Sequence, residues 1–284
     1  MKKGTLMCMG AAVLFGLVPP ALNFLLSSGV SKAGGLLGPN ALLFVGSLVL
    51  CIFRGLSLTV SIRTAVLLLL VGIAGMGATN LLIGSAFAYL PTGMVTTIHF
   101  LYPTVVTLTE IVFLGRRATL TAFCAAALSL TGIACVSGAG AEGGGAGIGV
   151  VLALASSLTY SFFIIGSERF RPASMPVVAG LVWMSGGSLL TALLYGALFQ
   201  PVVLPSSSVL WGVYAVFSAM IGCAFVLLSV GIRSVGAVDA AFATLLEPLT
   251  SVVCGAFIFG DPVTSLSIAG CSMVLASVYL NSRS

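Results

Sequence analysis

The chain has 284 residues, 59% of them hydrophobic and only 6% charged, with a formal net charge of +5. A soluble domain carries about a quarter charged residues to cover its surface, so a water-soluble globular fold is excluded and lipid is the solvent this composition suits. The positive balance does not indicate nucleic acid, because the basic residues stand singly or in pairs at the edges of apolar runs and never gather into a patch.

A membrane-spanning helix needs about 20 apolar residues, and most of the chain divides into such lengths. The start, Met1-Lys2-Lys3 and an apolar run, resembles a secretory signal. The run continues through Pro19-Pro20 to Leu26 without a small-residue cleavage site, which predicts a retained first helix. Spans follow near residues 4–26, 36–53, 65–88, 92–114 and 119–138. After a glycine-rich stretch carrying Glu142 come residues 148–167, 176–199, 208–232, 236–259 and 264–281. The predicted fold class is an all-α integral membrane protein with ten transmembrane helices. The predicted organisation is a five-helix repeat over 1–138, a linker over 139–148 and a second five-helix repeat over 149–284.

Alternate loops would place Lys2, Lys3, Arg54, Arg63, Arg116, Arg117, Arg169, Arg171, Arg233 and Arg283 on one side, leaving only Lys32 on the other. Short loops on the cytoplasmic side carry the excess of Lys and Arg, so both termini are expected to be cytoplasmic. The loops leave no room for a soluble catalytic module, and no G-x-x-x-x-G-K-[ST] phosphate loop occurs. The seven cysteines show no metal-like spacing and read as small apolar fillers. Gly72, Gly75 and Gly77 read as a close helix contact.

Shifting the first half by 145 residues brings Gly4 onto Gly149, Gly77 onto Gly222, Pro103 onto Pro248, Gly115 onto Gly260 and Thr119 onto Thr264. Because each half holds an odd number of spans, the second copy must enter the membrane from the opposite side. Inverted repeats of this kind are a carrier signature, since two similar halves can exchange conformations about a central site.

Thr244-Leu245-Leu246-Glu247-Pro248, followed by Gly260-Asp261, resembles the second-repeat pattern of EamA-type transporters of the drug/metabolite transporter superfamily. Pro103 and Gly115 resemble its first-repeat counterpart, with Arg116 where an acidic residue is usual. The resemblance implies a ten-helix secondary carrier or facilitator whose central cavity is lined by helices 1, 3, 4, 6, 8 and 9. Substrates in that superfamily include amino acids, amines, nucleotide-sugars and drugs.

A charge at mid-membrane costs about 2.5–3.5 kcal/mol on insertion scales, so such residues face a protein interior or a watery cavity. Glu247, near the middle of the ninth span, is expected to face the cavity and bind a substrate amine or a proton; the competing reading is a structural glutamate. Pro248 and Pro103 are expected kink sites, each lacking a backbone donor. His99 and Glu110 lie eleven residues apart, about 16 Å along one helical stripe. His99 reads as a relay or substrate ligand, or else as a packing histidine.

Tyr102, Asn80, Tyr160 with Ser156 and Ser157, Thr244 and Trp183 complete the candidate substrate site. Trp183, Trp211 and Tyr195 line a cavity or anchor at the interface, with anchoring favoured for Trp211. Glu110, expected to pair with Arg54, Arg116 or Arg117, and Asp239 with Arg233 are candidate gating or coupling residues, their simpler reading being interfacial ion pairs.

The expected function is secondary transport of a small polar metabolite, amino acid or amine-like, by alternating access, with proton coupling as a separate expectation. An intramembrane enzyme would need a nucleophile and base or a metal cluster, and neither HExxH nor GxSxG is present. A single histidine makes a His-based metal site poor. A non-transporting receptor or assembly subunit is the remaining rival. No cofactor, metal or nucleic acid is called for; the expected partners are the substrate, protons and lipid, with the chain a monomer or homodimer in a bacterial inner membrane.

Overall fold

A computed structural model of the chain describes residues 3–90, 95, 98–115, 117, 119–137, 146–254 and 265–281. Arg116, Gly260, Asp261 and most of the glycine-rich linker lie outside the described residues. All regular structure among the described residues is helical. The first half contains α1 (Lys3–Gly16), α2 (Val18–Ser27), α3 (Lys32–Phe53), α4 (Ile62–Leu70), a π-helical segment (Val71–Gly77), α5 (Ala78–Ala86), α6 (Tyr102–Leu114) and α7 (Leu120–Ser137). The second contains α8 (Ala146–Arg169), α9 (Val177–Leu198), α10 (Ser208–Val235), α11 (Ala237–Ala243), α12 (Leu246–Cys254) and α13 (Ser265–Asn281).

Five of these elements are long and apolar enough to cross a membrane: Lys32–Phe53, Ile62–Ala86, Gly147–Arg169, Val177–Leu198 and Ser208–Val235. Their outward faces are apolar as well. Phe53 is 84% exposed, Ile62 82% and Leu198 70%, an arrangement that water would oppose and lipid accommodates.

Serine caps start three of the long helices. The Ser31, Ser61 and Ser207 hydroxyls accept from the backbone N–H of Gly34, Thr64 and Leu210, supplying acceptors to first-turn donors that have none within the helix. Gly115 closes α6 at φ 76°, a left-handed conformation that favours glycine.

The strongest helix pairings are α3 with α9, α7 with α13, α1 with α10, and the π segment with α5 against α8 and α9. Small residues set the closest approaches. A methyl group at Gly72 would strike the Met184 carbonyl and come within 3.0 Å of the Gly187 Cα. One at Gly75 would meet Phe163, and one at Gly77 would meet Thr191. With no hydrophobic force between helices in lipid, such close backbone contact supplies the packing attraction.

The first and ninth predicted spans are not continuous helices. Leu17 separates α1 from α2, and Pro stands in the first turn of α2, where Pro19 and Pro20 have no N–H to give the carbonyls four residues back. Thr244 and Leu245 separate α11 from α12. Pro248 cannot donate to the Thr244 carbonyl, and the Glu247 N–H donates to it instead at 3.0 Å, tightening the turn. In the fourth span Phe100 and Leu101 form a turn immediately before α6, with Pro103 in the first turn of that helix.

Gly72→Val should lower stability by about 1–3 kcal/mol through overpacking against the Met184 backbone, read as a fall in the midpoint of thermal unfolding in detergent.

Candidate functional site

The broken helices meet around a cavity of about 530 Å3. Its wall is mostly apolar and aromatic, including Phe15, Phe217 and Phe225, with Asn40, Thr79, Asn80 and Ser85 as neutral polar groups. Among the described residues two formally charged ones line it, Lys32 and Glu247, together with His99, Tyr160 and Tyr195. Glu247 comes from the first turn of α12. Among the described residues no hydrogen bond or ion pair holds its carboxylate.

The cavity reaches the surface at the end of the bundle where α2 and α5 finish and α3 begins, as Leu26, Lys32, Phe87 and Ala88 on its wall indicate. Ser31 joins this rim to the loop before α10. Its N–H donates to the Val203 carbonyl at 3.1 Å, and the Val203 N–H donates to its hydroxyl at 2.9 Å.

Away from the mouth the floor is aromatic. Tyr160 meets Tyr102 edge-on at a centroid distance of 4.7 Å, and His99 lies 5.3 Å from Tyr160 and 5.5 Å from Tyr102. Phe163 continues the layer against Phe225 at 5.5 Å. Offset and edge contacts of this kind add to area burial.

Hydroxyl chemistry assigns the donors within this floor. Ser156 Oγ donates its single proton to the Ala153 carbonyl at 2.7 Å, so in the 2.9 Å contact with His99 Nδ1 the histidine is the donor. A neutral His99 therefore keeps its lone pair at Nε2. Thr244 Oγ1 likewise gives its proton to the α11 carbonyls of Ala241 or Ala240. Tyr102 Oη must then donate in the 2.6 Å bond to Thr244 Oγ1. That bond ties α6 to the break between α11 and α12, while the Ser161 hydroxyl of α8 gives its proton to the Ser157 carbonyl of its own helix at 2.8 Å.

The opposite end is shut by charged groups. Arg169 pairs with the buried Glu110 at 2.5 Å, linking α8 to α6. Glu168 accepts from the Ala237 N–H at 2.7 Å, and Arg233 donates to the Ala173 carbonyl at 2.5 Å. Arg171, in the loop before α9, is buried and donates to the Met175 carbonyl at 3.3 Å. Burial, and secondarily the Arg233 charge, lower it from the usual arginine value to about 10, so it stays cationic at neutral pH.

The structure thus brings Glu247, His99, Asn80 and Tyr160 onto one cavity. Tyr102 and Thr244 stand behind its floor, fully buried and bonded to each other. Trp183 is elsewhere: it does not line the cavity, and its indole donates to the Leu58 carbonyl at 3.4 Å. Its position on α9 faces the loop between α3 and α4, which a hydropathy pattern does not register. Glu110 pairs with Arg169, not with Arg54 or Arg117, because α8 crosses α6 at that level. Two helices outside the expected lining set, α3 through Lys32 and Asn40 and α9 through Tyr195, also line the cavity.

Sequence reasoning missed Glu168 and Arg169, which sit at the C-terminal end of α8 and look like ordinary interfacial charges. It missed Lys32 as a lining residue for the same reason. Trp211 is 46% exposed and meets Tyr214 edge-on at 5.6 Å.

The profile of the EamA-like transporter family matches residues 147–283. A solved crystal structure, described only as that of a protein, superposes at a TM-score of 0.82 with 20% identity, covering 99% of this chain and 98% of that one. At that identity the likeness establishes the fold. No curated protein matches the sequence.

Removing either partner of the Tyr102–Thr244 bond should have unequal effects. Tyr102→Phe leaves Thr244 still donating to α11 and should cost roughly 0.5–1.5 kcal/mol. Thr244→Val strands the buried phenol and should cost more, about 1–3 kcal/mol. Thermal unfolding of the two variants in detergent checks the order.

Proposed function

Because this chain is an EamA-type member of the drug/metabolite transporter superfamily, with its EamA-like segment at residues 147–283, we propose that it carries a small, amine-bearing metabolite by alternating access through the cavity at Glu247. The family makes it a multi-pass membrane transporter with a small-molecule substrate. The finer reading is carried by one observation: a carboxylate without a protein partner among the described residues faces a cavity open at one end and shut at the other. An unpaired anion in an apolar wall is costly, and a bound cation or proton removes that cost.

His99, Asn80 and Tyr160 surround the same space and serve as its hydrogen-bonding groups, while Tyr102 and Thr244 hold the floor in shape. Glu110 with Arg169, Glu168 with the start of α11, and Arg233 with Ala173 act as the closed gate, and Asp239 belongs to the same end. Pro103 and Pro248 let the crossing helices bend there.

Two inverted five-helix repeats, 1–138 and 149–284, are supported by the way helices pair. Exchanging the halves maps α3 with α9 onto itself and α7 with α13 onto itself, and it converts α1 with α10 into α8 with the π segment and α5. The same shift carries Tyr102 onto Glu247 and His99 onto Thr244. Ten spans with both termini cytoplasmic follow from the sorting of basic residues, which makes the mouth beside Lys32 the outer one. A bacterial inner membrane suits so compact a carrier.

Uptake of labelled amines and amino acids into proteoliposomes tests this. Glu247→Gln should reduce initial uptake by at least about tenfold, since truncating one partner of a buried charge pair costs several kcal/mol, with thermal stability retained. Uptake unaffected by that change would sink the reading. Proton coupling predicts that an imposed pH gradient raises the accumulated level, and indifference to the gradient would remove it.

A further inference from the structure

Lys32 is difficult to explain if the cargo is a simple amine. It lines the cavity at the mouth, where its charge repels an approaching cation. Nor does it help its own helix, because it is the first residue of α3, and a cation there opposes the positive end of the helix dipole. It has no carboxylate partner among the described residues.

Its backbone is nevertheless held firmly. Ser31 caps α3 and is bonded to Val203 on both sides, and Tyr214 Oη donates to the Gly34 carbonyl at 2.5 Å. The ammonium therefore starts from a defined rim position. A ligand with its own anion would turn the repulsion into attraction.

Depth along the bundle sets the spacing. Gly16, at the end of α1, touches the Glu247 backbone: a methyl there would come within 2.8 Å of its carbonyl oxygen. Ser27, the last residue of α2 at the rim, lies eleven residues further along the chain, about 16 Å at 1.5 Å per residue. The two charged side chains therefore start from opposite ends of the cavity wall, about the length of α2 apart along the bundle. Between them the wall is apolar and aromatic, with Phe15, Leu22, Phe217, Ile221 and Phe225.

Resting on the reading of Glu247 as the amine-binding group, we infer that Lys32 and Glu247 together select an elongated dipolar substrate, its cationic end at Glu247 and its anionic end at Lys32, separated by an apolar body. An α-amino acid, whose two charges are about 3 Å apart, satisfies one of these residues at a time. A terminally charged chain, or a short peptide with an apolar side chain, satisfies both.

Three probes with six-carbon chains separate these cases: 6-aminohexanoate, its isomer norleucine, and hexylamine, which lacks the carboxylate. Binding to the purified full-length protein is read from ligand-dependent thermal shifts. The wild type should bind 6-aminohexanoate more tightly than either of the others. Lys32→Gln should weaken 6-aminohexanoate by about fivefold, the scale of a partly exposed ion pair, and leave hexylamine bound at least as tightly as before, because the repelling charge is gone, whereas Lys32→Arg should preserve the preference.

Norleucine binding as tightly as 6-aminohexanoate, or a Lys32→Gln variant with unaltered affinity for 6-aminohexanoate, would overturn the inference. Hexylamine binding that still disappears in Glu247→Gln would, in that event, leave the amine-binding reading standing. Failure of all three probes to bind the wild type overturns both.

Discussion

A carboxylate in a lipid-facing protein must find water, a proton or a counter-charge, because an isolated buried anion is among the most unfavourable groups a fold can contain. Glu247 finds no protein counter-charge among the described residues and opens instead onto a cavity of about 530 Å3. Much of the surrounding architecture maintains that space. The break between α11 and α12 presents Glu247 from a first turn, and the aromatic floor of Tyr102, Tyr160 and Phe163 keeps the space from extending through the bundle.

The polar contacts divide by position. At the mouth end, contacts between chain segments use neutral groups, Ser31 with Val203 and Tyr214 with Gly34. At the shut end they use charges, Arg169 with Glu110 and Glu168 with the Ala237 N–H. Charged hydrogen bonds are roughly twice as strong as neutral ones, so the shut end is the more firmly held in this arrangement. In the proposed transport cycle these are the contacts that must separate when the site turns to the other side.

Between the two ends the helices are held by contact of small residues. Gly72 and Gly187 let the π segment and α9 approach until their backbones touch, and Gly132 approaches the Gly270 carbonyl in the pairing of α7 with α13. Backbone contact of this kind rigidifies the bundle without adding polar groups to the membrane interior. Several of the hydroxyls there are returned to local carbonyls, as in Ser156 to Ala153 and Thr107 to Pro103, which is how a side-chain donor is satisfied where water is absent.

The helical class, the approximate place of the five long apolar spans and the EamA resemblance were legible in the sequence, because hydrophobic run length is a local property and bilayer thickness translates it directly into helix length. The expectation that Glu247 and His99 belong to one site also came from local reasoning, since ionisable groups at that depth have few tolerable environments. Which residues share a wall is not local. Lys32 lies 215 positions from Glu247 in sequence and reads alone as a solvated terminal charge. Trp183 reads alone as a ligand but turns to the Leu58 carbonyl. The partners of Glu110 and Tyr102, the breaks at Leu17 and Thr244, and the closure of one end were decided by tertiary packing, because each depends on the angle and register at which separate helices cross, and those are set by side-chain contacts between distant segments that no run of neighbouring residues encodes.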